Sequence, residues 1–148
     1  YHFGNKRGLL RAIGTRWYEP FLAGIREAGE YRHDVAGSLV SILTRFLDSA
    51  RSCPDFTRFR LSVSFSPPES EEREAFSPFI DNLYSIMQSF FTAASLDHGN
   101  MRGREVPYAA SFIGTADTYS GLLLAGTLDP DEQYIRRIVH HFMHGIFS

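Results

Sequence analysis

The sequence predicts an all-α fold, a bundle of about six helices. Apolar residues recur every three to four positions along almost the whole chain. No stretch alternates apolar and polar residues between turn signals, as a half-buried strand would. With 148 residues, 43% hydrophobic and 22% charged, the chain has material for one core and too much of it for a disordered protein.

The first helix is expected from Asn5, a capping residue type, with Leu9, Ile13, Trp17, Phe21 and Ile25 at four-residue steps and Leu10 and Ala28 beside them. Pro20 lies inside this pattern and predicts a kink over 16–19, because it removes a donor and crowds the carbonyl four residues back. Asp34 caps the second helix, whose core face is Leu39, Ile42, Leu43, Phe46 and Leu47, and Cys53-Pro54 ends it. A shorter helix carries Phe56, Phe59 and Val63 before Ser66-Pro67-Pro68. The fourth opens with Glu71 and Glu72, suited to a helix N-terminus, and continues through Phe79, Leu83, Ile86, Met87, Phe90 and Phe91. Ser77-Pro78 is either a restart or a kink within it.

Residues 95–104 are polar and glycine-containing and read as a loop. The fifth helix, from about Pro107 to Ala125, has Asp117 as its sole charge and is expected to be buried on two sides. The sixth opens at Asp129-Pro130-Asp131-Glu132, which combines a capping box with proline at the first helical position. Its stripe is Ile135, Ile138, Val139, Phe142 and Ile146.

Charge is uneven. Up to residue 60 there are ten Lys and Arg against six Asp and Glu, and beyond it five against eleven. Lys6, Arg7, Arg11 and Arg16 stand in the first sixteen residues with no acid, so a polyanion would be met at this end. Cys53 is the sole cysteine, which excludes an intrachain disulfide and a cysteine-based metal site and suits a reducing cytoplasm. The most apolar stretch, 106–128, is interrupted by Pro107, Asp117 and small polar residues, so no membrane segment is expected. The chain opens at Tyr1 inside an aromatic cluster, and a segment upstream is expected.

Tyr1-His2-Phe3-Gly4-Asn5-Lys6, followed by Gly8-Leu9-Leu10, resembles the signature of the tetracycline-repressor (TetR) family where the recognition helix ends and the next helix begins. Gly8 departs from it, standing where a stronger helix former is usual. The number and order of the later helices are also similar to the family's regulatory domain. The resemblance implies that residues 1–6 are the remnant of a helix-turn-helix and residues 7–148 a ligand-binding and dimerisation domain. It implies that Tyr1, His2 and Lys6 touch DNA phosphates, that Phe3 packs head against body, and that the base-reading residues precede Tyr1.

The resemblance further implies a homodimer in which the last two helices of each copy form a four-helix bundle. Gly114, Gly121, Ala125, Arg137 and His141 are its candidate contacts. It also implies a small hydrophobic or aromatic effector among the other helices, with the first helix as the lever that carries the DNA-binding head. The expected function is then a ligand-responsive, cytoplasmic transcriptional regulator, a repressor released from operator DNA. Tyr18, Phe46, Phe59, Met87, Phe91 and Phe112, on inward helix faces, are candidate lining residues. Asp117 is either a pocket acid for a cationic ligand or a polar group at a subunit interface.

The duller alternative is a stand-alone helical binding or scaffolding module with no DNA role. Catalysis, a cofactor and a metal are not expected. His140 and His144 are one turn apart, but no carboxylate or cysteine nearby completes a ligand set. Glu30-Tyr31-Arg32-His33 fits half of a di-iron motif, and no second copy exists. No phosphate loop, nucleophile elbow or zinc-protease helix occurs.

Overall fold

A computed structural model describes residues 4–147, and Tyr1, His2 and Phe3 lie outside them. Among the described residues the secondary structure is entirely helical: α1 (Lys6–Ile13), α2 (Glu19–Ala28), α3 (Val35–Ser52), α4 (Pro54–Ser64), α5 (Glu71–Ala94), α6 (Glu105–Leu124) and α7 (Glu132–His144). A short 3-10 turn, Gly99–Met101, lies between α5 and α6.

The expected first helix exists as α1 and α2, joined without a break by a π turn over Gly14–Tyr18. Pro20 explains it. Lacking an N–H, Pro20 cannot bond four residues back, and the Glu19 N–H reaches five residues back, to the Gly14 carbonyl. The wider turn also corrects the expected face. Phe21 and Ile25 are buried as expected, but up to the end of the turn the buried residues are Leu10, Gly14 and Tyr18, with Leu9 and Ile13 half-buried and Trp17 39% exposed. Asn5 caps α1 as predicted, its side chain accepting from the Gly8 N–H at 2.8 Å.

Asp34 caps α3 through the Gly37 N–H at 2.9 Å, and α3 ends at Ser52, just before Cys53-Pro54. At Pro78 the structure shows neither restart nor break, because α5 is one helix of 24 residues. Pro78 and Glu74 are both exposed, so water can replace the donor that the Glu74 carbonyl loses.

α7 begins two residues later than expected. Its cap is Asp131, which accepts from the Tyr134 N–H at 2.8 Å, and Pro130 precedes the cap instead of opening the helix. Asp129 is held elsewhere. Arg51 at the end of α3 donates to it from Nε and Nη2, and Nη2 also donates to the Pro130 carbonyl at 2.7 Å. Ile146 lies beyond the end of α7 and is 84% exposed, so the buried stripe of that helix stops at half-buried Phe142.

One core runs through the bundle. α5 packs on α6, α2, α1 and α4, and α3 packs on α6, α2, α7 and α4. Ile25, Leu39, Ile42, Phe46, Phe76 and Phe112 are fully enclosed. Within the single chain α6 is buried on one side: Phe112, Ile113 and Ala116 point inward while Gly114 and Thr118 are exposed. Among the described residues no helix is long and apolar enough to cross a membrane.

Candidate binding sites

The residues predicted to line one pocket do not surround one cavity. Tyr18, Phe46, Met87 and Phe112 are at most 1% exposed and packed in the core. Tyr18 stacks on Phe79 with ring centroids 5.1 Å apart, and Phe46 meets Phe21 edge-on at 5.2 Å. Inward-facing aromatics fill their own space first, as cores are packed to crystal-like density. Phe91 and Phe59 do face cavities, but different ones.

Phe91 lines a groove of about 620 Å³ where α3, α5, α6 and α7 meet, together with Val35, Leu39, Tyr108, Phe142 and Met143. His98, Asn100, Ser111 and His144 add polar tips. Phe59 lines a second groove, about 410 Å³, bounded by Ile13, Trp17, Cys53, Pro54 and Phe56. This one is bordered by the π turn on one side and the start of α4 on the other.

Asp117 faces neither groove and is not at the exposed face of α6. It is buried, with Oδ1 2.8 Å from Nη1 of Arg60, whose side chain is 1% exposed. Arg60 went unremarked in the sequence. Yet it lies four residues after Phe56 and three before Val63, on the apolar face of α4, which is the signal that would have found it. Its guanidinium rests against two rings, 4.9 Å from the centroid of Phe21 and 5.1 Å from that of Phe46.

This pair sits among further buried polar atoms. Nη1 of Arg60 and Oδ1 of Asp117 satisfy each other as an ion pair, whereas Nε of Arg60 and the Thr57 hydroxyl are buried without a hydrogen bond. Nη1 of Arg73 on α5 is in the same condition. Burial pushes the Tyr18 hydroxyl up to about 12, with Arg60 opposing and Asp117 adding to the rise. Burial likewise holds the Asp117 carboxyl above the usual carboxylate range, against the pull of Arg60.

At the amino-terminal end Tyr1 and His2 fall outside the described residues. Lys6 is described, and its ammonium meets two carboxylates of α5, Glu72 at 2.5 Å and Glu71 at 3.5 Å. The hydrogen bond to Glu72 raises the Lys6 pKa and lowers that of Glu72.

The predicted interface residues lie on α6, at its C-terminal end and on α7. Gly114, Ala125, Arg137 and His141 are exposed and Gly121 is half-buried. A Cβ added at Gly114 or Gly121 would meet nothing within 4 Å. From Pro107 to its end the exposed positions of α6 are Pro107, Ala110, Ser111, Gly114 and Thr118, without a charge, and exposed Ala125 follows the helix. On α7 the His140 and His144 rings are 4.7 Å apart, and among the described residues no three His, Cys, Asp or Glu side chains gather as a metal site.

The Glu30–His33 stretch lies in the turn after α2, where a helical di-iron motif cannot form. Tyr31 donates to Asp97 Oδ2 at 2.8 Å, and Nδ1 of His33 lies 2.6 Å from the same oxygen, which ties this turn to the end of α5. Compared with protein-family models, with curated proteins and with solved structures, the chain gives no match.

Proposed function

We propose that the chain is the ligand-binding and dimerisation part of a TetR-like transcriptional regulator, a repressor that leaves operator DNA when a small hydrophobic effector binds. The observation that carries this is the outward face of α6. A soluble helix normally meets water with charged side chains, and five exposed positions from Pro107 on without one suit a helix that another surface covers. Two copies pairing α6 and α7 about a twofold axis would bury that face, with Gly114 and Gly121 allowing close backbone approach.

The aromatic signature at residues 1–6 supplies the other support. In this proposal it is the edge of a DNA-binding head, and α1 and α2 are the lever between head and effector. Effector and DNA then weaken each other's binding by one common factor, typically about 5- to 150-fold. The test has two arms. Light scattering on the chain should give a dimer, and Gly114→Arg or Thr118→Arg should give a folded monomer. The intact protein should shift DNA from upstream of its own gene. A wild-type monomer overturns the proposed interface, and failure to shift any such DNA overturns the regulator.

One observation favours the second role, a helical binding module without DNA. Lys6 is engaged by Glu71 and Glu72, and Glu74 stands in the same first turn of α5, so the cationic end of α1 adjoins an acidic helix start. A phosphate would have to displace those carboxylates. Gel-shift of Glu71→Gln/Glu72→Gln intact protein separates the two: tighter DNA binding supports the regulator, and none at all supports the module.

A further inference from the structure

Four helix ends surround the larger groove. α3 begins there with Val35 and Leu39, α5 ends there near Phe91, α6 begins with Tyr108 and Ser111, and α7 closes with Met143 and His144. The floor is dry, because Val35, Leu39 and Phe91 are buried. Half-buried Tyr108 and Phe142 stand beside them, with ring centroids 5.5 Å and 6.3 Å from that of Phe91. The mouth is wet, since His98, Asn100, Ser111 and His144 are all exposed. An aromatic floor of about 620 Å³ with a few polar groups at one side is the usual form of a small-molecule site.

Its charge sets this groove apart. Among the described residues no Asp, Glu, Lys or Arg lines it. Four other grooves each carry at least one: Asp55 beside Phe59, Arg7 with Glu71, Arg26 with Glu30, and Arg45 with Asp48. The polar groups at the mouth are two imidazoles, an amide and a hydroxyl, which donate to or accept from a neutral partner. An ion entering would give up water and find no counter-charge, a far greater cost than burying a neutral group that is hydrogen-bonded. The mouth is also held in shape. Asp97, the residue before His98, takes the Tyr31 hydroxyl at 2.8 Å and lies 2.6 Å from Nδ1 of His33. His33 is the single non-glycine residue with positive φ among the described residues, at 62°, a conformation that persists where surroundings enforce it. The turn leading to Val35 and the loop carrying His98 and Asn100 are thereby tied together, and walls fixed in advance reduce the entropy lost on binding.

We propose that this groove binds an uncharged phenol of two or more rings, its aromatic body against Phe91, Tyr108 and Phe142 and its hydroxyl at His98 and Asn100. Offset or edge-on contact with three rings favours an aromatic body over an aliphatic one of equal area. That such a phenol acts as the effector rests on the regulator proposed above, but the site itself does not.

Calorimetric titration of the chain at neutral pH without DNA tests this. The probe is 2-naphthol, with 2-naphthoate and 2-naphthylmethylammonium as charged comparators and 2-methylnaphthalene as the analogue lacking a hydroxyl. 2-Naphthol should bind at one site per chain, at least tenfold more tightly than either ion and several-fold more tightly than the methyl analogue. His98→Ala/Asn100→Ala should remove the preference over 2-methylnaphthalene and leave that hydrocarbon's affinity unchanged. Met143→Lys puts a cation on the groove wall, and should move the naphthoate-to-naphthol affinity ratio at least tenfold toward the acid. All three replaced side chains are exposed, so these variants keep the fold. Trp17→Ala, in the smaller groove, should bind as wild type does. No saturable binding, equal affinity for an ion, unchanged selectivity in Met143→Lys, or lost binding in folded Trp17→Ala overturns the proposal. Binding that emerges only when the chain is cut after Gly145 also overturns it, by making exposed Ile146 and Phe147 the groove's occupant. Naphthol binding by an intact protein that never shifts DNA leaves this site standing and removes the regulator, and a DNA shift without naphthol binding does the reverse.

Discussion

Arg60 and Asp117 are the two residues at which the sequence most visibly breaks its own pattern, and the structure joins them. Each charge lies on an apolar helix face, where burying it alone would be prohibitive, and each is tolerable because the other is there. Asp117→Ala should therefore destabilise the fold by about 3–5 kcal/mol in chemical denaturation, by stranding the guanidinium. The double variant Arg60→Met/Asp117→Leu should recover most of that loss. Tyr18 gives a test in pH. Its hydroxyl keeps its proton up to about 12 in the fold and to its ordinary value of 10.0 when unfolded. The folded chain then binds the extra proton between those values, and stability falls as pH rises through that window. Tyr18→Phe should reduce this alkaline slope in thermal melts without abolishing it, because burial and the bond to Asp97 raise the Tyr31 hydroxyl to about 12 as well. Asp117 was legible as an oddity, but its partner was not, since the pairing spans two helices far apart in sequence.

Among the elements, caps were read well where one candidate stood alone. Asn5 and Asp34 each occupy the predicted place because no neighbour competes for the role. At the start of α7 two aspartates were eligible, and Arg51 of α3 decides the matter by holding Asp129. A remote side chain of that kind leaves no local trace. Pro20 and Pro78 show the same limit: both were flagged, yet one forces a π turn under Tyr18 and the other passes on an exposed face. The π turn is packed tightly. A Cβ at Gly14 would stand 2.6 Å from the Phe79 ring, which is itself stacked on Tyr18. Gly14→Ala should cost about 1–3 kcal/mol by overpacking, despite alanine's better helix propensity. Phe79→Leu in the same chain should relieve most of it, as a double-mutant cycle by denaturation will show.

For the molecule as a whole, the all-α class and the number and order of the helices were legible from periodicity, since a 3.6-residue repeat survives any arrangement of the rods. Where the cavities fall was not. Five inward aromatics and Met87 were expected to surround one space, and four of the six fill the core while Phe59 and Phe91 serve separate grooves. Periodicity says which side of a helix is dry, but the voids are set by how unequal side chains interlock across helices. The outward face of α6 belongs to this scale too. If two copies bury it, apparent stability should rise with protein concentration in thermal melts of wild type and not in those of Thr118→Arg.

One consequence lies in α5, a rod of 24 residues, about 36 Å at the usual helical rise, that touches α1, α2, α4 and α6. A spine braced along its length by so many neighbours has little freedom to move, so it serves as the fixed frame against which other parts shift. Its middle amides, near Leu83 and Met87, should be the slowest in the chain to trade hydrogen for deuterium. Those of Lys6–Ile13, anchored to that frame at its far tip by a lysine and two glutamates, should trade early.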